Sequence, residues 1–143
     1  MVSIIEGSWK LQSFEVQKEN GEVEYPVGKD AVGYILYTPT GHFSVQYMPQ
    51  SLNDNPCDQT KPAFMPVSYF GTYEYNREKD YVVHHVEGSF FPNSEGLDKI
   101  RRAEIRGKKL TLTSPSMNWR NQSGVIANIK FEKQEEIPEV AKY

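Results

Sequence analysis

The sequence predicts an all-β protein folded as an eight-stranded antiparallel up-and-down barrel. Three observations support this prediction. Short segments with alternating apolar and polar residues recur along the 143 residues, turn signals separate them, and no long stretch has a helical period. Eight antiparallel strands in about 140 residues suit a small closed barrel, because closure removes exposed strand edges. A barrel of this size is filled by side chains or holds one small ligand.

The predicted strands follow one another with short connections. They span residues 8–17, 31–38, 42–48, 68–76, 81–89, 99–106, 108–114 and 125–133. Thr38-Pro39-Thr40-Gly41 is a strong hairpin turn, and Gly107 marks a second tight hairpin. The longer loops 49–66 and 90–98 are predicted to border the entrance of the barrel. Residues 1–133 therefore form one barrel domain, and the acidic segment 134–143 is a surface tail.

Composition excludes several classes of function. The net charge is −3 and the basic residues are scattered, which argues against a nucleic-acid partner. Cys57 is the only cysteine, so no internal disulfide forms. No apolar stretch approaches the roughly 20 residues of a membrane helix, and the N-terminal residues do not resemble a signal peptide. We expect a cytoplasmic protein with no membrane partner. The sequence leaves room for a homodimer.

The hairpin around Pro39-Thr40 indicates which side chains line the interior. Pairing residues whose numbers sum to 79 places Leu36 opposite Phe43 and Tyr34 opposite Val45, on the more apolar face. His42 then falls on the mixed face, toward solvent or the rim. The predicted lining residues of this hairpin are Tyr34, Leu36, Phe43, Val45 and Tyr47.

Two adjacent histidines in YVVHHVEG, residues 81–88, must point to opposite faces of their strand. Apolar neighbours favour His84 as the inward one. The other face carries His85 together with Glu87, which forms an acid–base row that a catalytic cavity would use. A simpler interpretation is one core histidine bonded to a neighbouring Tyr or Arg, and one solvated histidine.

The flanking strands supply further polar candidates. Arg101 and Arg102 lie on opposite faces, and an inward arginine needs either a carboxylate or an anionic ligand. We favour a structural pair with a glutamate such as Glu87 or Glu74 for an inward arginine, and we keep Arg102 as the candidate site residue of the two. Tyr69 and Tyr73 share one face of their strand and suit either a lined pocket or a core.

Several segments carry a resemblance to a known family. Gly7-Ser8-Trp9-Lys10-Leu11 resembles the G-x-W opening of lipocalins. The blocks DAVGYILYTPTGHFSVQYM, YFGTYEY and VVHHVEGSFFPNSEGLDKIRRAEIRGKKLTL resemble bacterial and fungal lipocalin-like domain proteins, over about residues 6–132. The resemblance implies a calycin-type barrel with a small-molecule cavity and with Trp9 closing one end. Relatives often have Trp where this chain has Ser94, so any role of that ring is altered here.

The resemblance leaves the function open between an enzyme and a carrier, because related barrels include both. We favour a cofactor-free isomerase, cyclase or dehydratase acting on a small hydrophobic, oxygenated metabolite of natural-product type. The alternative is a carrier or sensor of a small apolar ligand, and a filled barrel serving protein interaction is a third hypothesis. The candidate catalytic residues are His84, His85, Glu87, Tyr73 and Arg102. The candidate ligand-binding residues are Trp9, Tyr34, Leu36, Phe43, Val45, Tyr47, Tyr69, Phe91, Asn93 and Trp119. No metal site or cofactor motif is recognisable.

Overall fold

The computed structural model describes residues 3–50, 66–90, 96–119 and 122–137. These residues form β-strands and turns, and none of the described residues is helical. No described helix is therefore long and apolar enough to cross a membrane. The strands are β1 Gly7–Gln17, β2 Val23–Glu24, β3 Val32–Tyr37, β4 His42–Met48, β5 Val67–Asn76, β6 Tyr81–Ser89, β7 Asp98–Arg106, β8 Lys109–Thr113, β9 Met117–Trp119 and β10 Gln122–Lys133.

The sheet closes into an eight-stranded antiparallel barrel, as predicted. Its strands follow the order β1-β3-β4-β5-β6-β7-β8-β10, and β10 pairs back onto β1 over most of the length of β1. Two short strands were not anticipated. β2 pairs with the end of β1, and β9 pairs with the start of β10, both within segments that were predicted as connections.

The hairpin of β3 and β4 differs from its predicted register by one residue. Tyr37 pairs with Phe43 and Ile35 pairs with Val45, so residue numbers sum to 80. The cause is the turn. Thr38 and His42 close a three-residue loop in which Gly41 has a φ of 88°, a left-handed conformation suited to glycine. The prediction assumed a two-residue loop, and a slip of one residue exchanges the two faces of a strand.

A large hydrophobic cluster fills much of the interior, and a smaller one is formed by Val16, Val125 and Ala127. The largest members of the large cluster are Trp9, Tyr37, Tyr47 and Phe131, all essentially inaccessible to solvent. The indole Nε1 of Trp9 donates to the carbonyl of Ile5 at 2.8 Å, which satisfies the one polar atom of that ring. Trp9 is thus a packed core residue near the N-terminal end of β1.

Candidate functional site

The inner face of β6 places His84 in the middle of the barrel. Burial alternates along the strand, and Val82, His84 and Val86 point inward. The imidazole is fully inaccessible and stacks on the ring of Phe43, with 4.2 Å between ring centroids and 17° between planes. The prediction that His84 is the inward histidine is confirmed by this burial.

Two phenols from neighbouring strands contact the imidazole nitrogens. Tyr37 Oη lies 2.7 Å from Nε2, and Tyr69 Oη lies 3.4 Å from Nδ1. The shorter distance fits an O–H donor, whereas the longer one is a weak contact. This geometry favours Tyr37 as the donor to Nε2, with the N–H group on Nδ1 facing the oxygen of Tyr69.

Burial keeps all three groups neutral at physiological pH. Loss of hydration, and after it the nearby charges of Arg101 and Lys99, lower the pKa of His84 to about 3. The same loss of hydration raises the pKa of Tyr69 to about 12 and raises the pKa of Tyr37 well above its ordinary value. The cluster therefore offers hydrogen bonds and carries no charge of its own.

Two cations on β7 face this cluster. Lys99 pairs with His84 and Arg101 pairs with Val82 across the β6–β7 ladder, so both side chains project from the inner face. The Lys99 ammonium lies 4.5 Å from the centroid of the Tyr69 ring, and burial lowers the pKa of this lysine. Arg101 Nη1 donates to the carbonyl of Ile100 at 3.0 Å. Within the described ranges, neither cation forms an ion pair with a carboxylate.

Among the described residues, one buried hydroxyl in the barrel has no hydrogen-bond partner. Tyr47 projects inward from β4 and is 1% exposed, and its Oη contacts no donor or acceptor among the described residues. Burial raises the pKa of Tyr47 well above its ordinary value, while the charge of Arg101 acts in the opposite direction. Orphaned buried hydroxyls are uncommon because they lose hydration without compensation.

The predicted acid–base row lies outside the barrel, which corrects its assignment to the cavity. His85 Nδ1 is 2.7 Å from Asp98 Oδ1, and His85 Nε2 is 3.0 Å from Glu74 Oε2, both partners being exposed. Glu87 is exposed as well, at the irregularity where β5 and β6 change register. The two histidines alternate across the strand, so a carboxylate on the His85 face is beyond the reach of His84.

The outer faces of β3 and β7 hold three more predicted site residues. Tyr34 and Leu36 are 43% and 41% exposed, as a consequence of the slipped register. They border an exterior groove of about 730 Å³ that residues 134–137 also line. Arg102 is exposed on the outer face of β7, because the small buried Ala103 and the partly buried Ile105 turn the Arg101 face inward.

The remaining candidates have mixed outcomes. Phe43, Val45, Tyr47 and Tyr69 are buried on the inner face, as predicted. Tyr73 is partly buried, and its hydroxyl donates to the carbonyl of Thr38 at 2.8 Å while its ring packs edge-on against Tyr37. Phe91, Asn93 and Ser94 lie outside the described residues, as does the side chain of Trp119.

Sequence reasoning missed Tyr37, Lys99 and Arg101 as members of the interior cluster. The correct signal for Arg101 was present, since Arg101 shares a strand face with Ala103 and Ile105. Tyr37 required the turn geometry, and Lys99 required the β6–β7 pairing. Among the described residues, no group of three His, Cys, Asp or Glu side chains is arranged to hold a metal ion.

Comparison with known proteins agrees with this architecture. The profile of the family described as "Lipocalin-like domain" matches residues 6–133, which is nearly the whole barrel. No curated protein matches the chain significantly. The closed eight-stranded barrel and this match together show that the chain belongs to the lipocalin-like domain family.

Proposed function

We propose that the protein binds a small, largely apolar, oxygen-bearing molecule inside its barrel and acts as a carrier or sensor of that molecule. Membership of a lipocalin-like family is consistent with small-molecule binding. One observation on this protein supports a more specific proposal, namely the number of protons available in the hydrogen-bonded chain Tyr37–His84–Tyr69.

The Tyr37–His84–Tyr69 chain has more hydrogen-bond donors than its internal contacts use. Two phenols and one neutral imidazole bring three protons, whereas the contacts among them take up only two. Whichever direction the chain runs, one phenolic O–H is left without an acceptor. The short Tyr37–His84 contact favours Tyr69 as the residue with the free O–H group. A carbonyl or hydroxyl oxygen of a bound molecule would accept it.

The surroundings indicate the rest of the ligand. Phe43 lies 5.5 Å from Tyr69 between ring centroids and stacks on His84, so the polar chain is framed by aromatic faces. Such a setting suits a flat apolar or aromatic body, with a few placed polar groups fixing its orientation.

The protonation states favour binding over acid–base catalysis. A histidine whose pKa is about 3 is a weak base at neutral pH, and a phenol whose pKa is about 12 is a weak acid. Glu87, which would have tuned the histidine, lies on the outer surface. The chain therefore suits recognition of an oxygen atom better than removal of a proton from carbon.

A second candidate is a cofactor-free isomerase, cyclase or dehydratase. The observation in its favour is that the Tyr37–His84–Tyr69 chain can reverse its direction when a substrate exchanges protons with both ends. Tyr69 would give its free proton to the substrate and take the Nδ1 proton, while Nε2 would take the proton of Tyr37 and Tyr37 would take one from the substrate. An enzyme of this kind would place its substrate between the two phenols. Product formation that is lost in His84→Gln with binding retained would favour this candidate over the carrier.

The binding proposal is tested with a panel of small aromatic ketones and phenols, titrated by calorimetry and by NMR of the His84 ring. Tyr69→Phe should weaken binding of a ketone by about 3- to 10-fold, the value of one hydrogen bond. Tyr34→Phe removes a hydroxyl from the outer face and should change nothing. Equal losses in both variants, or no binding across the panel, would contradict the proposal.

A further inference from the structure

We propose that the molecule bound in the barrel is an anion, such as an aromatic carboxylate or an enolate, whose charge is held by Lys99 and Arg101 while the hydroxyl of Tyr47 donates to it. This inference rests on the proposed function, since it names the chemical class of the ligand for the same interior site.

The first observation is the position of the two cations. Lys99 and Arg101 are two residues apart on β7 and stand opposite His84 and Val82, whose side chains are buried in the barrel. Both cations are only partly exposed, and Lys99 covers the face of the Tyr69 ring. They therefore form a paired positive patch above the Tyr37–His84–Tyr69 chain.

The second observation is the lack of a counter-charge. An arginine and a lysine directed into a protein interior are costly unless a carboxylate or another anion accompanies them. Through residues 3–50, 66–90, 96–119 and 122–137, the salt bridges of the protein involve other groups. Asp98, which precedes Lys99 in β7, contacts His85 on the outer face.

The third observation is independent of charge. The Tyr47 hydroxyl is completely buried on the inner face of β4 and has no hydrogen-bond partner among the described residues. A phenol donates well to an anionic oxygen, and such charge-assisted bonds are about twice as strong as neutral ones. An anion between Arg101 and Tyr47 would satisfy the unpartnered hydroxyl and neutralise the cation together.

The groups around Lys99 and Arg101 are compatible with a bound anion and add no further charge to the site. His84 is neutral at physiological pH and Tyr37 and Tyr69 remain protonated, so the three groups carry no competing charge and Tyr69 keeps a free O–H donor. The guanidinium of Arg101 has a planar fork of donors that matches a carboxylate, and only one of its bonds is used within the described protein.

The experiment compares 2-naphthoate with 2-naphthamide, which have nearly the same shape and differ in charge. Binding to the full chain is measured by calorimetry at pH 7, in low and high salt. We expect the carboxylate to bind at least 10-fold more tightly than the amide, with an advantage that shrinks in high salt.

Variants on β7 provide the matched control. Arg101→Gln and Lys99→Gln should each weaken 2-naphthoate binding by about 10-fold and leave 2-naphthamide unchanged. Arg101→Lys should retain most of the affinity. Arg102→Gln changes the net charge equally, but on the exposed outer face, and should have no effect. Circular dichroism checks that each variant is folded, and Tyr47→Phe provides a further test because it keeps every charge.

The outcomes distinguish failure of the anion proposal from failure of the proposed small-molecule binding on which it rests. If the amide binds as tightly as the carboxylate, the ligand is neutral, so the anion proposal fails while small-molecule binding stands. If Arg102→Gln weakens the carboxylate as much as Arg101→Gln does, the preference reflects overall charge and the interior site is refuted. If neither compound binds and the aromatic panel also fails, both proposals fall together.

Discussion

Removing the hydroxyl groups of Tyr47 and Tyr37 should change the stability of the ligand-free fold in opposite directions. Both residues are fully buried tyrosines on adjacent strands, and Tyr→Phe is the same small chemical change at each. Their hydroxyls differ in one respect. Tyr37 Oη contacts His84 Nε2 at 2.7 Å, whereas Tyr47 Oη has no partner among the described residues.

The expected magnitudes follow from this difference. A buried polar group without a partner costs about 1–3 kcal/mol, so Tyr47→Phe should raise the free energy of unfolding by about 1 kcal/mol. Tyr37→Phe removes a short hydrogen bond and leaves His84 Nε2 unsatisfied, so it should lower the free energy of unfolding by about 2 kcal/mol. The two variants should therefore differ by about 3 kcal/mol.

Urea denaturation at pH 7, followed by tryptophan fluorescence, measures both changes. The midpoint should move up for Tyr47→Phe and down for Tyr37→Phe, with the dependence on urea concentration unchanged. Thermal midpoints should shift by about 3 °C upward and about 6 °C downward. If Tyr47→Phe destabilises the fold as much as Tyr37→Phe does, the Tyr47 hydroxyl is satisfied in the free protein, and its use as a ligand donor loses its support.

Three further predictions concern the barrel wall and its histidines. Gly71→Ala should lower the free energy of unfolding by about 2–3 kcal/mol in urea denaturation, because a Cβ there would lie 1.9 Å from the backbone carbonyl oxygen of His85. A neutral result would mean that β5 and β6 separate easily at this point. Burial lowers the pKa of His84 from 6.5 to about 3, so the unfolded chain binds more protons than the folded protein between these two pH values. The free energy of unfolding should therefore fall as the pH drops through this window, by on the order of 4 kcal/mol. His84→Gln should flatten this pH profile, and an unchanged slope would refute the assignment. The hydrogen bonds that the protonated His85 ring donates to Asp98, and then to Glu74, raise the pKa of His85. The small contribution of His85 to stability should therefore be present below pH 6.5 and lost as the pH rises through the raised value. NMR should show this pKa falling in Asp98→Asn, and an unmoved titration would contradict the contact.

Alternation along strands was sufficient to predict part of the interior. It separated His84 from His85, and the apolar neighbours Val82 and Val86 indicated the inward residue correctly. It also identified Phe43, Val45 and Tyr47, whose strand was assigned the right face. These successes share a cause, since each of these strands has one face that is consistently apolar.

The wrong predictions for β3 arose because its inward face depends on the register of the β3–β4 pairing. A three-residue loop at Pro39–Gly41 moves Ile35 and Tyr37 inward and expels Tyr34 and Leu36, yet both sets are apolar enough to be a core face. Hydrophobicity alone could not choose between them. The choice depended on Gly41 adopting a left-handed conformation, a property of the turn and of neither strand.

On β7 the same ambiguity decides which cation can meet a ligand. One face presents Lys99 and Arg101 and the other presents Ile100 and Arg102, so only the more distant Ala103 and Ile105 favour the first face as the inward one. The β6–β7 ladder resolves it by pairing Lys99 with His84, and the buried Ala103 allows that face to pack closely. A slip of one residue would replace both interior cations with an isoleucine and an arginine. The register therefore determines the charge of the site, and a variant that shifted the β6–β7 pairing should weaken anion preference, because one arginine would replace two cations while every residue of the site stays in the sequence.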